Sequence, residues 1–254
     1  KILNRSFAIL LAAYAALLLP GCKPRQAKNV IEGDAAQQVY VPPGTYDKLY
    51  MFASGGFNGE VSVYGLPSGR LFKIIPVFAQ FPENGYGYSE ETKPMLATSH
   101  GFVPWDDAHH PELSQTNGEL DGRWLFINGN NTPRVARIGL RSFRTEEIIE
   151  IPNSAGDHAS PFCTPNTDYV VAATRFSIPL GAQTDIPINT YKQNFKGTIS
   201  FIKVDKNTGR MSIAVQLLAP GVDYDLSHAG KGPSDGWMFF SCYNTEEAHT
   251  LLEV

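Results

Sequence analysis

The chain has 254 residues, of which 43% are hydrophobic, 11% aromatic and 18% charged, and its formal net charge is −4. That size and apolar content suit a globular body with a sizeable core, and exclude a disordered or low-complexity chain. The mild acidity excludes the basic footprint that a nucleic-acid partner would require.

Residues 1–22 read as a secretory signal peptide. Lys1 and Arg5 flank the start of an apolar run, Phe7 to Leu19, whose 13 residues are fewer than the roughly 20 that span a bilayer. The run ends in Leu19-Pro20-Gly21-Cys22, which resembles a bacterial lipobox with Cys22 as the lipidated residue. The alternative is ordinary cleavage nearby, with Cys22 incidental. No twin-arginine pair precedes the run, so export by the Sec route to the periplasm is expected. Loss of residues 1–21 leaves 19 basic against 25 acidic residues, a net charge of −6. Cys163 and Cys242 remain in an oxidising compartment. Two cysteines make no disulfide framework at this size; they either pair or stay as thiols. Residues 23–45 are polar and aperiodic, a tether and extended lead-in, and Pro42-Pro43 argues against a helix there.

From residue 46 to 254 the pattern is β. Lys48 to Ser54 is an apolar run, Glu60 to Leu66 alternates, Pro67-Ser68-Gly69 is a turn, and Leu71 to Val77 is a second apolar run. The same arrangement returns 74 residues later without a gap: Tyr50 falls on Trp124, Phe52 on Phe126, Val61 on Val135, Ile75 on Ile149. A looser third copy begins at Asp168 and a fourth start at Asp235-Gly236-Trp237. Repeated antiparallel meanders predict an all-β protein of the β-propeller class, since a lone blade cannot bury both faces. Three and a fraction copies fall short of the roughly 4–8 blades of a closed ring, so a partial propeller is expected. A two-sheet sandwich is the alternative, but it predicts no such echo.

Six histidines are present. His109 and His110 precede the strand at Arg123, and His158 precedes the strand at Asp168 at nearly the same offset. In a propeller, segments leading into successive blades aim at one point on the axis, which is what a metal site there needs. Imidazole suits copper, zinc, iron and nickel. Neighbours in a regular strand face opposite sides, so His109 and His110 share a site only through a turn or by binding different metals. Asp106 and Asp107 are possible acceptors for an imidazole N–H, or simply an acidic turn. His228 also precedes a strand and is a weaker candidate for the channel; His100 and His249 receive no role. Tyr243-Asn244-Thr245-Glu246-Glu247 reads either as a helix start capped by Asn244 or as an oxygen-ligand cation site.

The segment Trp105-Asp106-Asp107-Ala108-His109-His110-Pro111 resembles the D-x-H-H motif of bacterial nitrous-oxide reductases, including the variant with a Sec-type leader. The resemblance continues through Lys48–Val77, Gly122–Pro152, Asp157-His158 and Phe240–Glu246, and so covers most of residues 40–254. It implies a homodimer with a seven-bladed propeller, a sulfide-bridged four-copper centre (CuZ) on its axis, and a following cupredoxin domain with a two-copper centre (CuA). By this resemblance His109, His110 and His158 are copper ligands, Asp107 supports them, and Tyr243 and Glu246 are calcium ligands. The remaining cluster histidines and the Cys-x-x-x-Cys of the cupredoxin domain have no counterpart up to Val254. The expectation is the N-terminal fragment of a reductase, about half of the ring, inactive alone. The implied partners are nitrous oxide and a periplasmic or membrane-linked electron donor.

Two rivals come from other classes. A lipid-anchored propeller that binds a partner without redox chemistry predicts that the three histidines do not converge. A hydrolytic propeller of the lactonase kind needs repeated axial carboxylates, and the repeat carries none.

Overall fold

The computed structural model describes residues 35–181, 185–219 and 221–245. The signal region, Cys22, Glu246 and His249 lie outside the described residues. The chain divides into two units, residues 1–40 and 41–254. In the first, the described element is the five-residue helix α1 (Ala35–Val39), which stops short of Pro42-Pro43. Among the described residues, no helix is long and apolar enough to cross a membrane.

The second unit is built of antiparallel sheets. β1 (Leu49–Ser54), β2 (Glu60–Leu66) and β3 (Leu71–Pro76) form the first, in that order. A two-stranded ribbon, β4 (Ala97–Thr98) with β5 (Gly101–Phe102), follows. β6 (Ala108–Thr116), β7 (Glu119–Gly129), β8 (Arg134–Gly139) and β9 (Arg144–Glu150) make a four-stranded meander. After β10 (Ser154–Gly156), a second four-stranded sheet runs β11 (Ala159–Cys163), β12 (Tyr169–Ala173), β14 (Gly197–Val204), β15 (Met211–Ala219). Between β12 and β14 lie β13 (Phe176–Ser177), which pairs with β10, and the short helix α2 (Tyr191–Asn194). β16 (Gly221–Ala229) and β17 (Met238–Thr245) form the last pair.

These are consecutive blades of a partial β-propeller. The 74-residue echo is β1–β2–β3 falling on β7–β8–β9, strand for strand. Even a hydrogen-bonded carboxylate recurs: Asp47 accepts from Ser68 and Arg70, and Asp121 accepts from Ser114, Thr116 and Arg123. The phase of the repeat differs from the sequence reading. The strands at Arg123, Asp168 and Met238 are the second strands of their sheets; β6, β11 and β16 come first. β11 packs against β6 on one side and β16 on the other, so the first strands of successive blades are neighbours. β6 carries two histidines, a proline and four other polar residues, and β11 is five residues with a central proline. Neither shows alternation, which is why they escape a periodicity search.

Burial on both faces explains the apolar runs of the middle strands. Along β7, Leu125 and Ile127 join Val61, Val63 and Ile75 of the first blade. Trp124 and Phe126 point the other way, into a second core with Val170, Ala172, Ile202 and Val204 of the third blade. Side chains alternate faces with period two, so one strand serves two blade interfaces. A third core, Ala173, Ala219 and Tyr224, joins the third blade to β16.

Candidate metal centre

β6 opens the site. A regular strand would send His109 and His110 to opposite faces, but β6 is bulged there. His109 pairs with Asn128 and Glu112 with Phe126, three steps on one strand against two on the other. His110 sits in the left-handed region at φ +48°, a conformation that costs a non-glycine residue roughly 1–2 kcal/mol. The bulge brings the second imidazole round to the side of the first. Pro111, which has no N–H to give to the ladder, suits the irregularity. The turn that sequence reasoning required is therefore a bulge inside the strand.

The residues before β6 are anchored by a buried carboxylate. Asp106 is fully buried and accepts from the backbone N–H of Asn131 (3.0 Å) and Thr132 (2.9 Å), and from the Thr132 hydroxyl. It also accepts the Asp107 N–H at 2.7 Å. The guanidinium of Arg134, 1% exposed, lies 3.7 Å away and stacks on Phe78. Burial pulls Arg134 below the usual guanidinium value, and Asp106 opposes that pull. Asp107 is buried too, with its Oδ1 2.9 Å from His109 Nδ1. That is ion-pair distance, although the alignment is off that of a hydrogen bond. Asn130 holds the same carboxylate from its other oxygen, at 3.2 Å. With Nδ1 turned to Asp107, His109 offers Nε2 to a ligand.

The third imidazole arrives from the next blade. His158 follows Asp157, which is fully buried and accepts from the Ser154 hydroxyl at 3.0 Å. Burial lifts the Asp157 carboxyl to about 8, with Ser154 opposing, so at neutral pH it is mostly protonated. The backbone here runs very close to β7. A Cβ on Gly156 would strike the Asn130 carbonyl, a backbone atom that cannot step aside. The Asn128 side-chain amide donates to the Asp157 carbonyl.

The three rings converge. Their centroids are 5.2 Å (His109–His110), 5.0 Å (His109–His158) and 4.8 Å (His110–His158) apart. One nitrogen from each lies within 4.8 Å of the others, and all three residues are half-buried. Nitrogens about 2 Å from one ion can be at most about 4 Å apart. A spread of up to 4.8 Å thus needs either a small inward rotation or more than one metal. Three neutral imidazoles are a borderline-soft donor set, suited to copper, zinc, iron or nickel.

The other singled-out residues lie elsewhere. His228 is exposed, opposite Phe239 near the turn end of the β16–β17 hairpin. His109 sits at the open end of its own hairpin, so the two do not correspond. His100 is exposed in the turn between β4 and β5. Tyr243 and Asn244 belong to β17, and Asn244 pairs with Asp223. The chain is a strand up to Thr245, and the residues of the expected helix that follow lie outside the described residues. Glu246 lies outside the described residues. Cys163 and Cys242 are not joined: the first is buried, which pushes its thiol well up, and the second donates to the Asp223 carbonyl. Sequence reasoning missed Asn128, Asn130 and Arg134. Their one signal was polarity inside apolar runs.

No protein-family model matches the chain. Nitrous-oxide reductase from Pseudomonas fluorescens is 33% identical over 241 residues, covering 94% of this chain and 36% of that protein. The enzyme of the same name from Stutzerimonas stutzeri is 34% identical over 245 residues, with the same two coverages of 94% and 36%. That from Cupriavidus necator is 33% identical over 198 residues, 74% of this chain and 30% of that one. The chain thus spans about a third of the length of these curated relatives. Among solved structures, hydrazine synthase of Kuenenia stuttgartiensis superposes with a TM-score of 0.50 at 14% identity, covering 80% of this chain and 51% of that one. At that identity the likeness concerns the fold alone.

Proposed function

We propose, from the homology of this chain to a segment of nitrous-oxide reductase, that it is the N-terminal propeller portion of such an enzyme. In this reading His109, His110 and His158 are part of the ligand set of a multi-copper centre. One observation carries it: three imidazoles from two blades meet within 4.8 Å, at the positions that the D-x-H-H motif and its follower single out. The donor chemistry fits copper, and the spread of the nitrogens accommodates more than one metal. A non-redox binding propeller gives no reason for a histidine to accept left-handed backbone in order to face two others.

When bound, copper supplies the redox chemistry for the reduction of nitrous oxide, with two protons and two electrons, to dinitrogen and water. The chain's own residues bind and orient. Asp107 faces His109 Nδ1 and turns the other ring nitrogen to the centre. The bulge at His110 aims the second ring. The buried Asp106–Arg134 pair keeps the segment before β6 in place. Tyr243 and Glu246 are proposed as calcium ligands. The periplasm, Sec export, a lipid at Cys22, a homodimer and an external electron donor complete the reading.

Copper loading of the full protein tests it. The wild type should retain copper through dialysis against a weak chelator. A variant with His109, His110 and His158 all changed to alanine should lose the cluster copper while its fold, read by circular dichroism, persists. Equal copper in both proteins would overturn the assignment.

A further inference from the structure

We infer that Asn128 is a positioning residue for His158, fixing the distance between the histidines of two adjacent blades. This rests on the reading of the three imidazoles as a metal centre. Asn128 lies on the face of β7 that carries Trp124 and Phe126, the face packed on the third blade. Within β7 the side chains beside it on that face, Trp124 and Phe126, are apolar, and Asn128 is fully buried. Its backbone is the register partner of His109. Its side-chain amide donates to the carbonyl of Asp157, the residue before His158. One residue therefore touches both arms of the site.

The alternative ties are weaker. The backbone bond that joins Asp157 to the end of β7, its N–H to the Gly129 carbonyl, is stretched to 3.5 Å. Gly156 allows the close approach but exerts no pull. The Asn128 Oδ1 is buried with no hydrogen-bond partner, which costs stability. An apolar side chain of similar shape would avoid that cost and would lose only the donor to Asp157. A ligand set needs its members held to about 0.5 Å. A single buried amide spanning the blade boundary does this more tightly than apolar contact, which permits sliding.

The test is Asn128→Leu in the full chain, with two readouts. In the metal-free chain, the imidazole NMR signals of His158 should shift or broaden while those of His228 stay in place. In a Cu(I) titration against a chelator, affinity should fall about 10-fold, the scale for losing a supporting partner. That fall should vanish in a His158→Ala background. Unmoved His158 signals, or an equal fall in both backgrounds, would overturn the inference, since a general structural role predicts the latter. Should Asn128→Leu not fold, Asn128→Asp keeps the size, replaces the donor with an oxygen, and is read the same way. A wild-type chain that binds no Cu(I) would defeat the metal reading, and the NMR comparison would then decide the role of Asn128 alone.

Discussion

The second and third blades reach the same point by different physics. The second blade's arm is held by charge. Asp106 and Arg134 form a buried ion pair, four donors converge on the Asp106 carboxylate, and Asp107 faces His109. The third blade's arm is held by neutral groups. Asp157 is mostly protonated, Ser154 donates to it, and the Asn128 amide grips its carbonyl. The second arm must force two adjacent histidines to one side, against the pleat and with left-handed backbone at His110. The third delivers one histidine before its strand begins. The arm with the more demanding geometry has the stronger anchor.

Removing that anchor should have the largest effect. Asp106→Ala strands Arg134 in the interior, and a denaturant titration should show a loss of about 3–5 kcal/mol. A loss under about 1 kcal/mol would mean that the ion pair does not hold the second blade. Next comes the third arm's own contribution. His158→Ala in the full protein should lower copper affinity by about 100-fold or more, beyond the range for a supporting partner, and abolish nitrous-oxide reduction. Unchanged copper stoichiometry would count against His158 as a ligand.

Asp107→Asn should weaken copper binding by about 10–100-fold with little change in fold. The matching change on the other arm separates the two kinds of support. Asp121 comes between them in size. Burial raises its pKa, but hydrogen bonds from Arg123, Ser114 and Thr116 outweigh this and bring it to about 2. Its folded value lies below its unfolded one, so its contribution is complete above about pH 4 and is lost as pH falls through about 2. Asp121→Asn should remove about 1–2 kcal/mol at neutral pH and flatten the acid limb of the stability curve. A parallel acid limb in the variant would show that the Arg123 contact adds nothing. The smallest effect is expected from Asp157→Asn. It exchanges one neutral group for another, so unfolding at pH 6 should shift by less than about 1 kcal/mol. A shift as large as that of Asp106→Ala would mean that Asp157 is ionised in the folded chain and that the two arms are alike.

The repeat determined the propeller. An ungapped echo of 74 residues can arise only if the strands are built alike, and β1–β3 and β7–β9 are. The histidine triad was also legible, because Asp107-Ala108-His109-His110-Pro111 and Asp157-His158 are distinctive strings. Three things were decided only by the tertiary structure. The first strands β6 and β11 carry no alternation, since they face neighbouring blades and the site rather than one apolar layer. The bulge at His110 depends on what pairs across from it, which no local pattern encodes. The partners Asn128 and Arg134 lie 30 and 28 residues from His158 and Asp106 in sequence. Spacing along the chain shows which groups a strand can present. Only tertiary packing determines which of them meet, because the contacts that fix the imidazoles join segments distant in sequence, and the one from Asn128 to Asp157 crosses from one blade to the next.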